Sequence, residues 1–431
     1  MFHDYAESGP SLLGNTDHKL GARFRLAPSN VVVANTLRRQ VMSAVKTVGF
    51  RTEPSESSEV VIDTNTTPLV NEMLSHRIGM IPIRADPTTF DPARFEFRIA
   101  KENDGKSMMS VSAADFQVIE RDPANPLDEG TVLPTEAFFP PDPITGETTL
   151  ITRLRPQWNP IAVNEKLVLR ARAAVSSGAE NSRWCPVSQC SYEYTRDEDS
   201  ERIEAMFQSW VSVSKKISNV AELGEDRLDE LRREYKTMEI QRCFRVDERG
   251  EPNDFTFYLE SVGVLPVPEI IAQAIQATID LLSKYQDLDG DIPEGVQIQP
   301  ANTRFSAVDI VFANESHTLG NLLQHYLVAN HIDGAEEPKI TFAGYKVPHP
   351  LKKEMVVCVG IDETDAEVSM QTARFVVAKV VRHCKEIFKG MLADWKRVFG
   401  VQSIEEAPQG QQAVEANGNP PSLTIEEKPM Q

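Results

Sequence analysis

The sequence predicts an α+β fold in which two related α/β units pack as a pseudo-symmetric intramolecular dimer, with a β-rich insert domain in the first unit. Two capped amphipathic helices, each followed by strand segments and later by a longer amphipathic helix, indicate the two units. A small sheet cannot bury such helix stripes by itself, so packing one unit on the other covers both. Short alternating runs between proline-rich loops indicate the insert.

Charge and cysteine content restrict the functions open to the chain. Its 431 residues carry a formal net charge of -19, and a protein that binds nucleic acid by itself usually presents a basic face. High-affinity nucleic-acid binding is therefore disfavoured. Five cysteines do not make a disulfide framework in a chain this long, which favours an intracellular, non-secreted protein. The sequence shows no signal-peptide core and no membrane-length apolar run, so no membrane association is expected.

The first unit is predicted to begin with a short strand and a capped helix. Residues 1–20 are polar and predict a flexible N-terminus, whereas residues 23–26 alternate as a strand does. Asn30 is a good helix cap, and every fourth residue after it forms an apolar stripe of Val33, Leu37, Val41 and Val45. Gly49 is the predicted stop. A shorter helix is predicted over residues 69–78.

The middle of the chain predicts the insert, a return to the first unit and a linker. Residues 84–244 mix short alternating runs, proline-rich loops and a charged stretch of helical pattern near the end. Residues 245–285 contain a strand with alternating phenylalanines and a helix with isoleucines in register. Residues 286–304 are acidic and rich in glycine and proline, so they predict a linker.

The second unit is predicted over residues 305–400. Ser316 and Thr318 can cap a helix whose apolar face contains Leu319, Leu322, Leu323, Tyr326 and Leu327. Gly320 lies inside this helix although glycine costs about 1 kcal/mol against alanine there, which suggests close packing that excludes a side chain.

The remainder of the second unit is predicted to contain a strand, a rigid loop and a long helix. The strand is expected over residues 339–342, and two prolines stiffen the loop that continues to Leu351. The helix is expected over residues 367–399, with an apolar stripe along its whole length. Residues 401–431 are polar and predict a disordered tail.

Two strings in the second unit resemble the smaller α-like subunit of cellular multisubunit DNA-directed RNA polymerases. Residues 317–323 read HTLGNLL, which includes Leu319, Gly320, Asn321, Leu322 and Leu323. Residues 342–351 read FAGYKVPHPL, which includes Gly344, Tyr345, Pro348, His349 and Pro350. The strings occur in the family's order and at a similar spacing. The resemblance implies that these residues build the intramolecular dimer and its motif loop.

Two strings in the first unit resemble the larger α-like subunit of the same polymerases. Residues 35–39 read NTLRR, and residues 72–82 read EMLSHRIGMIP. The resemblance implies a discontinuous dimerisation domain, residues 21–83 and 245–285, around the insert. In the family, the helix with this string meets the second-largest subunit, so the implied partner contacts are Asn35, Leu37, Arg38, Arg39, His76 and Arg77. Alternatively, the two arginines are a solvated helix flank.

Together the resemblances imply that the larger and smaller α-like subunits, similar to the third-largest and eleventh subunits of eukaryotic and archaeal enzymes, are fused here. Such a chain is expected to be a non-catalytic assembly platform, without a cofactor, that docks the second-largest and largest subunits. Small zinc-binding polymerase subunits are further expected partners. Fusions of this kind occur among large DNA viruses, which implies a viral polymerase in the virion and the host cytoplasm or nucleus.

Two other segments offer competing interpretations. Asp287, Asp289 and Asp291 alternate near a glycine and could hold Mg²⁺ for phosphoryl transfer, which would make the chain an enzyme. An acidic linker is the other interpretation of this segment. Cys185 and Cys190 have a metal-compatible spacing, but a structural zinc site needs four ligands and no second close pair exists. A scaffold outside any polymerase is a third possibility.

Overall fold

A computed structural model describes residues 1–11, 18–125, 130–157, 163–217, 224–363 and 365–399. The predicted disordered tail, residues 401–431, lies outside the described residues. Six elements form the first unit: β1 (Phe2–Ser11), β2 (Lys19–Leu26), α1 (Val31–Ser43), β12 (Val187–Tyr194), β13 (Phe255–Ser261) and α5 (Val267–Ser283). Its four-stranded sheet has the order β1-β2-β13-β12, with antiparallel neighbours.

The second unit repeats this layout with one sheet and two helices. Its elements are β14 (Val296–Pro300), β15 (Ala307–Ala313), α6 (His317–Leu327), β16 (Phe342–Lys346), β17 (Glu354–Gly360) and α7 (Ala366–Phe399). The strands are antiparallel in the order β14-β15-β17-β16. A π-helical turn, Val328–Ile332, follows α6.

Between β2 and β12 of the first unit lies the insert domain, which is rich in short strands as predicted. Its elements are β3 (Lys46–Phe50), β4 (Val60–Asn65), α2 (Asn71–Gly79), β5 (Phe95–Asn103), β6 (Met109–Ser112), β7 (Gln117–Glu120), β8 (Thr131–Leu133), β9 (Leu150–Leu154), β10 (Glu165–Ala171) and β11 (Ala173–Ser177). A helical hairpin of α3 (Ser200–Val213) and α4 (Glu225–Met238) follows β12.

The two units share one apolar core, and this confirms the predicted intramolecular dimer. Helices α5 and α7 pack together, and α1 contacts both α5 and α6, so four helices lie between the two sheets. One contiguous cluster of buried side chains takes members from both units, including Phe24, Ile275, Leu323 and Val377. Burying both helix stripes in one interface removes the apolar surface that each unit would otherwise expose to water.

The insert domain and the hairpin have separate cores. Phe50, Phe97, Phe116 and Leu74 belong to a second cluster that is confined to β3–β11 and α2. Phe207, Val211, Leu231 and Tyr235 form a small third cluster between α3 and α4. Helix α2 and strand β3 thus pack with the insert, whereas β12 pairs with the first unit, and both placements differ from the predicted boundaries at residues 83 and 244.

Two further segments differ from the sequence-based prediction. Residues 2–11, expected to be flexible, form β1, because the Phe2 ring packs edge-on against Trp395 at 4.7 Å and contacts Phe24. Residues 296–300, expected to be part of a linker, pair with β15 as an edge strand. In both cases partners that are distant in sequence supply the stabilising contacts, and local composition does not reveal them.

Caps and glycines explain where the helices begin and how closely they pack. The Asn30 carboxamide oxygen accepts from the Val33 N–H at 2.9 Å, as expected of a cap. Gly49 does not end α1, which stops at Ser43; it lies in β3, where a Cβ would meet the Trp184 ring at 3.0 Å.

None of the helices in the described residues is long and apolar enough to cross a bilayer.

Candidate subunit interface

Hydrogen bonds from side chains fix how the two units sit on each other. The Trp395 indole N–H, from the second unit, donates to the Pro268 carbonyl at 2.9 Å inside the core. The Asn30 amide donates to the Tyr326 hydroxyl at 3.0 Å, and Arg39 Nε donates to the Thr318 hydroxyl at 2.7 Å. These directional bonds cross the contact and so set its register.

The predicted partner contacts on α1 divide into buried and accessible positions. Leu37 is fully buried in the shared core, so it cannot contact another chain. Arg39 is half-buried against Thr318 of the second unit, so the structure places it between the units. Asn35 and Arg38 are partly exposed, and Arg38 Nε donates to the Asn35 carboxamide at 3.1 Å, which directs the guanidinium along the outer flank of α1.

Helix α2 presents an apolar and basic outer face. Leu74 and Ile78 are buried in the insert core, whereas His76 and Arg77 are exposed, and Arg77 donates to the Leu150 carbonyl at 2.8 Å. Beside these basic residues lie three large apolar side chains that are each more than half exposed: Val70, Met73 and Met80. A helix that points apolar side chains both inward and outward is typical of an interaction surface.

Sequence reasoning missed these three exposed apolar residues. Their signal was present, because residues 70, 73, 77 and 80 recur at threes and fours on a stripe that is out of phase with Leu74 and Ile78. Together with Arg77, the three apolar residues form a second face of the helix, besides the face that packs on the insert core.

The motif residues of the second unit have two different environments. Leu319, Leu322 and Leu323 are buried in the shared core, while Asn321 is half-buried. Gly320 lies directly under the Tyr345 ring, and a Cβ there would overlap the ring atoms. Gly344, the neighbour of Tyr345, is similarly covered by the ring of Phe342. These glycines therefore allow close packing of side chains on the backbone.

The loop after β16 is exposed and locally braced. Pro348, His349 and Pro350 are all exposed, and His349 Nδ1 accepts from the Leu351 N–H at 3.1 Å. Leu351 at the tip is 88% exposed, which is unusual for leucine. The histidine thus acts on the shape of the loop, and the loop leaves an apolar side chain exposed at its tip.

The aspartate segment after α5 is tied to α7. Arg382 donates to both carboxylate oxygens of Asp289, at 3.1 and 2.8 Å, and Arg374 donates to the carbonyls of Leu288 and Gly290. The Arg382 hydrogen bond lowers the pKa of Asp289. Within the described ranges no three His, Cys, Asp or Glu side chains are arranged to hold a metal ion. The catalytic interpretation of this segment therefore has no support.

The cysteines are buried or half-buried thiols. Cys190 Sγ lies 3.8 Å from the Arg38 carbonyl, and burial raises the pKa of its thiol to about 12. Cys185 Sγ donates to the Val187 carbonyl at 3.3 Å. Both side chains pack against the shared core as small apolar groups do.

Comparison with known protein families identifies both units. The family model described as RNA polymerase Rpb3/Rpb11 dimerisation domain matches residues 23–282, more than half of the chain. A second model with the same description matches residues 307–391.

The chain belongs to the RNA polymerase Rpb3/Rpb11 dimerisation domain family. Individual members of this family are similar over most of their length. The DNA-directed RNA polymerase subunit Rpo3 of Methanopyrus kandleri is 29% identical over 264 residues, which covers 59% of this chain and 86% of the relative. RPAC1 of human DNA-directed RNA polymerases I and III is 23% identical, covering 61% and 80%. Subunit RPB3 of Schizosaccharomyces pombe DNA-directed RNA polymerase II is 24% identical, covering 66% and 89%.

The two Rpb3/Rpb11-type matches fall on the two structural units. The first spans β2 to α5 and includes the insert, whereas the second spans β15 to the last third of α7. The shared core is therefore a contact between two dimerisation domains of one family within one chain.

Proposed function

We propose that this chain is the fused α-like platform on which a multisubunit DNA-directed RNA polymerase assembles. It is a structural, non-catalytic subunit of that enzyme and works without a cofactor. The observation that carries this function is the single core shared by two Rpb3/Rpb11 dimerisation domains. A tether between the domains keeps their effective concentration in about the millimolar range, so the platform forms without an encounter between two chains.

The second-largest subunit docks on the outer faces of α1 and α2. Arg38, His76 and Arg77 supply cationic or polar groups there, and Met73 and Met80 supply adaptable apolar contacts. A rim of charge around exposed methionines suits a specific protein interface. Of the residues expected from the sequence, Leu37 and Arg39 support this surface from behind.

The largest subunit docks on the second unit, where the braced loop presents Leu351. Small zinc-binding subunits complete the base of the enzyme. The nucleic acid is held by other subunits, which accords with the net charge of -19. The chain acts inside cells, and because its fusion of the two domains resembles that of large DNA viruses, we infer a viral polymerase that occurs in the virion and in the host cytoplasm or nucleus. Mass spectrometry of purified virus particles checks the viral assignment.

Affinity purification of the tagged chain from cells that make it tests the function. We expect the wild-type chain to recover two very large subunits in equal amounts. The double variant Met73→Asp, Met80→Asp should lower recovery of the second-largest subunit about tenfold, since charges replace central apolar contacts. Val132→Asp is the matched control, because Val132 is 58% exposed on β8, at the edge of its sheet opposite β4, a strand that α2 contacts. Wild-type recovery by the double variant would contradict the assigned surface.

A further inference from the structure

The sheets of the two units differ on the faces that point away from the helices. On the first sheet this face is polar. The Arg23 guanidinium stacks over the Tyr258 ring at 5.8 Å, and the Tyr258 hydroxyl donates to Glu193 at 2.7 Å. The strand register puts these side chains side by side on β2, β13 and β12. Each of these polar groups has a partner or reaches water, so this face needs no further chain to cover it.

The corresponding face of the second sheet has an exposed apolar patch. The register aligns Ala307 with Gly360 and Phe342, and the next row with Cys358 and Gly344. The Phe342 ring lies on Gly344 and contacts the ring of Phe305 at 5.3 Å, yet the two phenylalanines remain 43% and 46% exposed. Helices α6 and α7 pack on the opposite face, against Ile310 and Val357 and their neighbours.

A buried carboxylate lies beside this aromatic pair. Asp309, on β15, is 7% exposed and faces Cys358 and Gly344 across the sheet. Its Oδ2 is 3.5 Å from the Lys346 ammonium, and the Cys358 thiol opposite it is a weak donor to the carboxylate, but no nitrogen or oxygen donor among the described residues reaches the buried Oδ1. Such an oxygen is destabilising until a donor reaches it, and a cation is the donor that a carboxylate binds best.

We propose that the outer face of the second sheet is a further docking surface of the platform, and that a segment of another polymerase subunit covers it. The segment places an apolar side chain against Phe305 and Phe342, and a lysine or arginine cation on Asp309 Oδ1. This inference rests on the proposed function, because it takes the partner to be a polymerase subunit. The outer face of the first sheet remains in contact with water in the same assembly.

Thiol labelling compares the two faces directly. Gln299→Cys puts a reporter on the second sheet opposite Asp309, and Gln189→Cys puts one on the first sheet opposite Glu260. Both glutamines are exposed. The two variants are labelled with a maleimide, as the free chain and as the affinity-purified complex. We expect labelling at position 299 to slow about tenfold or more in the complex, and labelling at position 189 to be unchanged.

Two variants identify the chemistry of the covering segment. In the Gln299→Cys background, Asp309→Asn keeps the shape of the side chain and removes its charge, so labelling in the complex should become several-fold faster. Phe342→Ser should have a larger effect of the same sign, because it removes the aromatic contact. Tyr258→Ser, on the first sheet, is the matched control and should leave protection at position 299 intact.

The outcomes separate this inference from the proposed function. If the wild-type chain recovers no large polymerase subunits, the function fails. If the complex forms but position 299 is labelled as fast as in the free chain, or position 189 is protected equally, only the docking face is overturned. Protection of position 299 in the free chain at high concentration would assign the face to a second copy of this chain instead. Unchanged protection of position 299 in Asp309→Asn would overturn the assignment of a cation to the covering segment.

Discussion

The contact between the two units and the core of the insert domain bury apolar side chains in different ways. The units share one core, to which four helices and both sheets contribute, whereas the insert closes around aromatic rings of its own. The difference indicates two kinds of cooperativity. Each unit depends on the other for its stability, while the insert depends on neither. A destabilising substitution in the shared core should therefore affect both units, and one in the insert core should affect the insert alone.

Trp395→Ala should have the largest effect on the stability of the two units. The side chain is fully buried, contacts Phe2 and Phe24, and donates to Pro268 across the unit boundary. Its loss should cost about 4 kcal/mol of unfolding free energy and loosen both units together. Hydrogen exchange of β2 and β15 measures this. Trp395→Phe, which keeps a ring, is the control, and loosening of the second unit alone would contradict a shared core.

Phe97→Ala tests whether the core of the insert domain is independent of the core that the two units share. Phe97 is fully buried in the insert among the rings of Phe50, Phe116 and Phe139. We expect a cost of about 3 kcal/mol, seen as faster hydrogen exchange in β5 and β10 with unchanged exchange in α5 and α7. Phe97→Leu should cost less. If α5 and α7 exchange faster as well, the two cores are not independent.

For Gly320→Ala, packing decides whether the substitution raises or lowers the free energy of unfolding. In an isolated helix the substitution would stabilise by about 1 kcal/mol. Here the new Cβ overlaps the Tyr345 ring, so we expect a net loss of about 2 kcal/mol in chemical denaturation. Combining it with Tyr345→Ala should remove most of that loss, as for any two groups in direct contact. Additive costs in the double variant would show that the glycine is needed for another reason.

The Asp289–Arg382 pair should make the smallest contribution, and one that depends on pH. The pKa of Asp289 is lowered by the Arg382 hydrogen bond. A lowered pKa stabilises the fold above the ordinary aspartate range, near 3.8, and this stabilisation is lost as the pH falls through the lowered value. Because both side chains are partly exposed, Asp289→Asn should cost only about 0.5 kcal/mol at neutral pH. The difference between variant and wild type should vanish in acid. A difference that persists there would exclude the carboxylate charge as its cause.

Helices were the most predictable part of this fold. The stripes that begin at Val33, Leu319 and Val377 correspond to α1, α6 and α7, because each contains enough buried positions to outweigh local exceptions. Strands β1 and β14 were not predictable, because their sequences are polar and their partners lie far away in the chain. An edge strand with one neighbour needs little apolar content of its own.

The sequence-based prediction of interface residues names positions on α1 and α2, and the structure leaves only some of them exposed. The string that contains Arg38 and Arg39 marks α1, yet one arginine points along the outer flank and the other contacts the second unit. Adjacent residues on a helix are about 100° apart, so choosing between them requires knowing where the second unit packs. The isolated Asp309 oxygen was not predictable either, because only the sheet register reveals its neighbours.

The pairing of β1 with the far end of α7 affects how the protein is made. Phe2 occupies its site beside Asp394, 392 residues further along the chain, and next to the Trp395 ring. At ordinary rates of translation, about 20–80 s separate the synthesis of these two ends. During that interval the apolar side chains of β1 lack the α7 residues that later cover them. We therefore expect the nascent chain either to bind a chaperone or to fold its insert domain before the last helix is made.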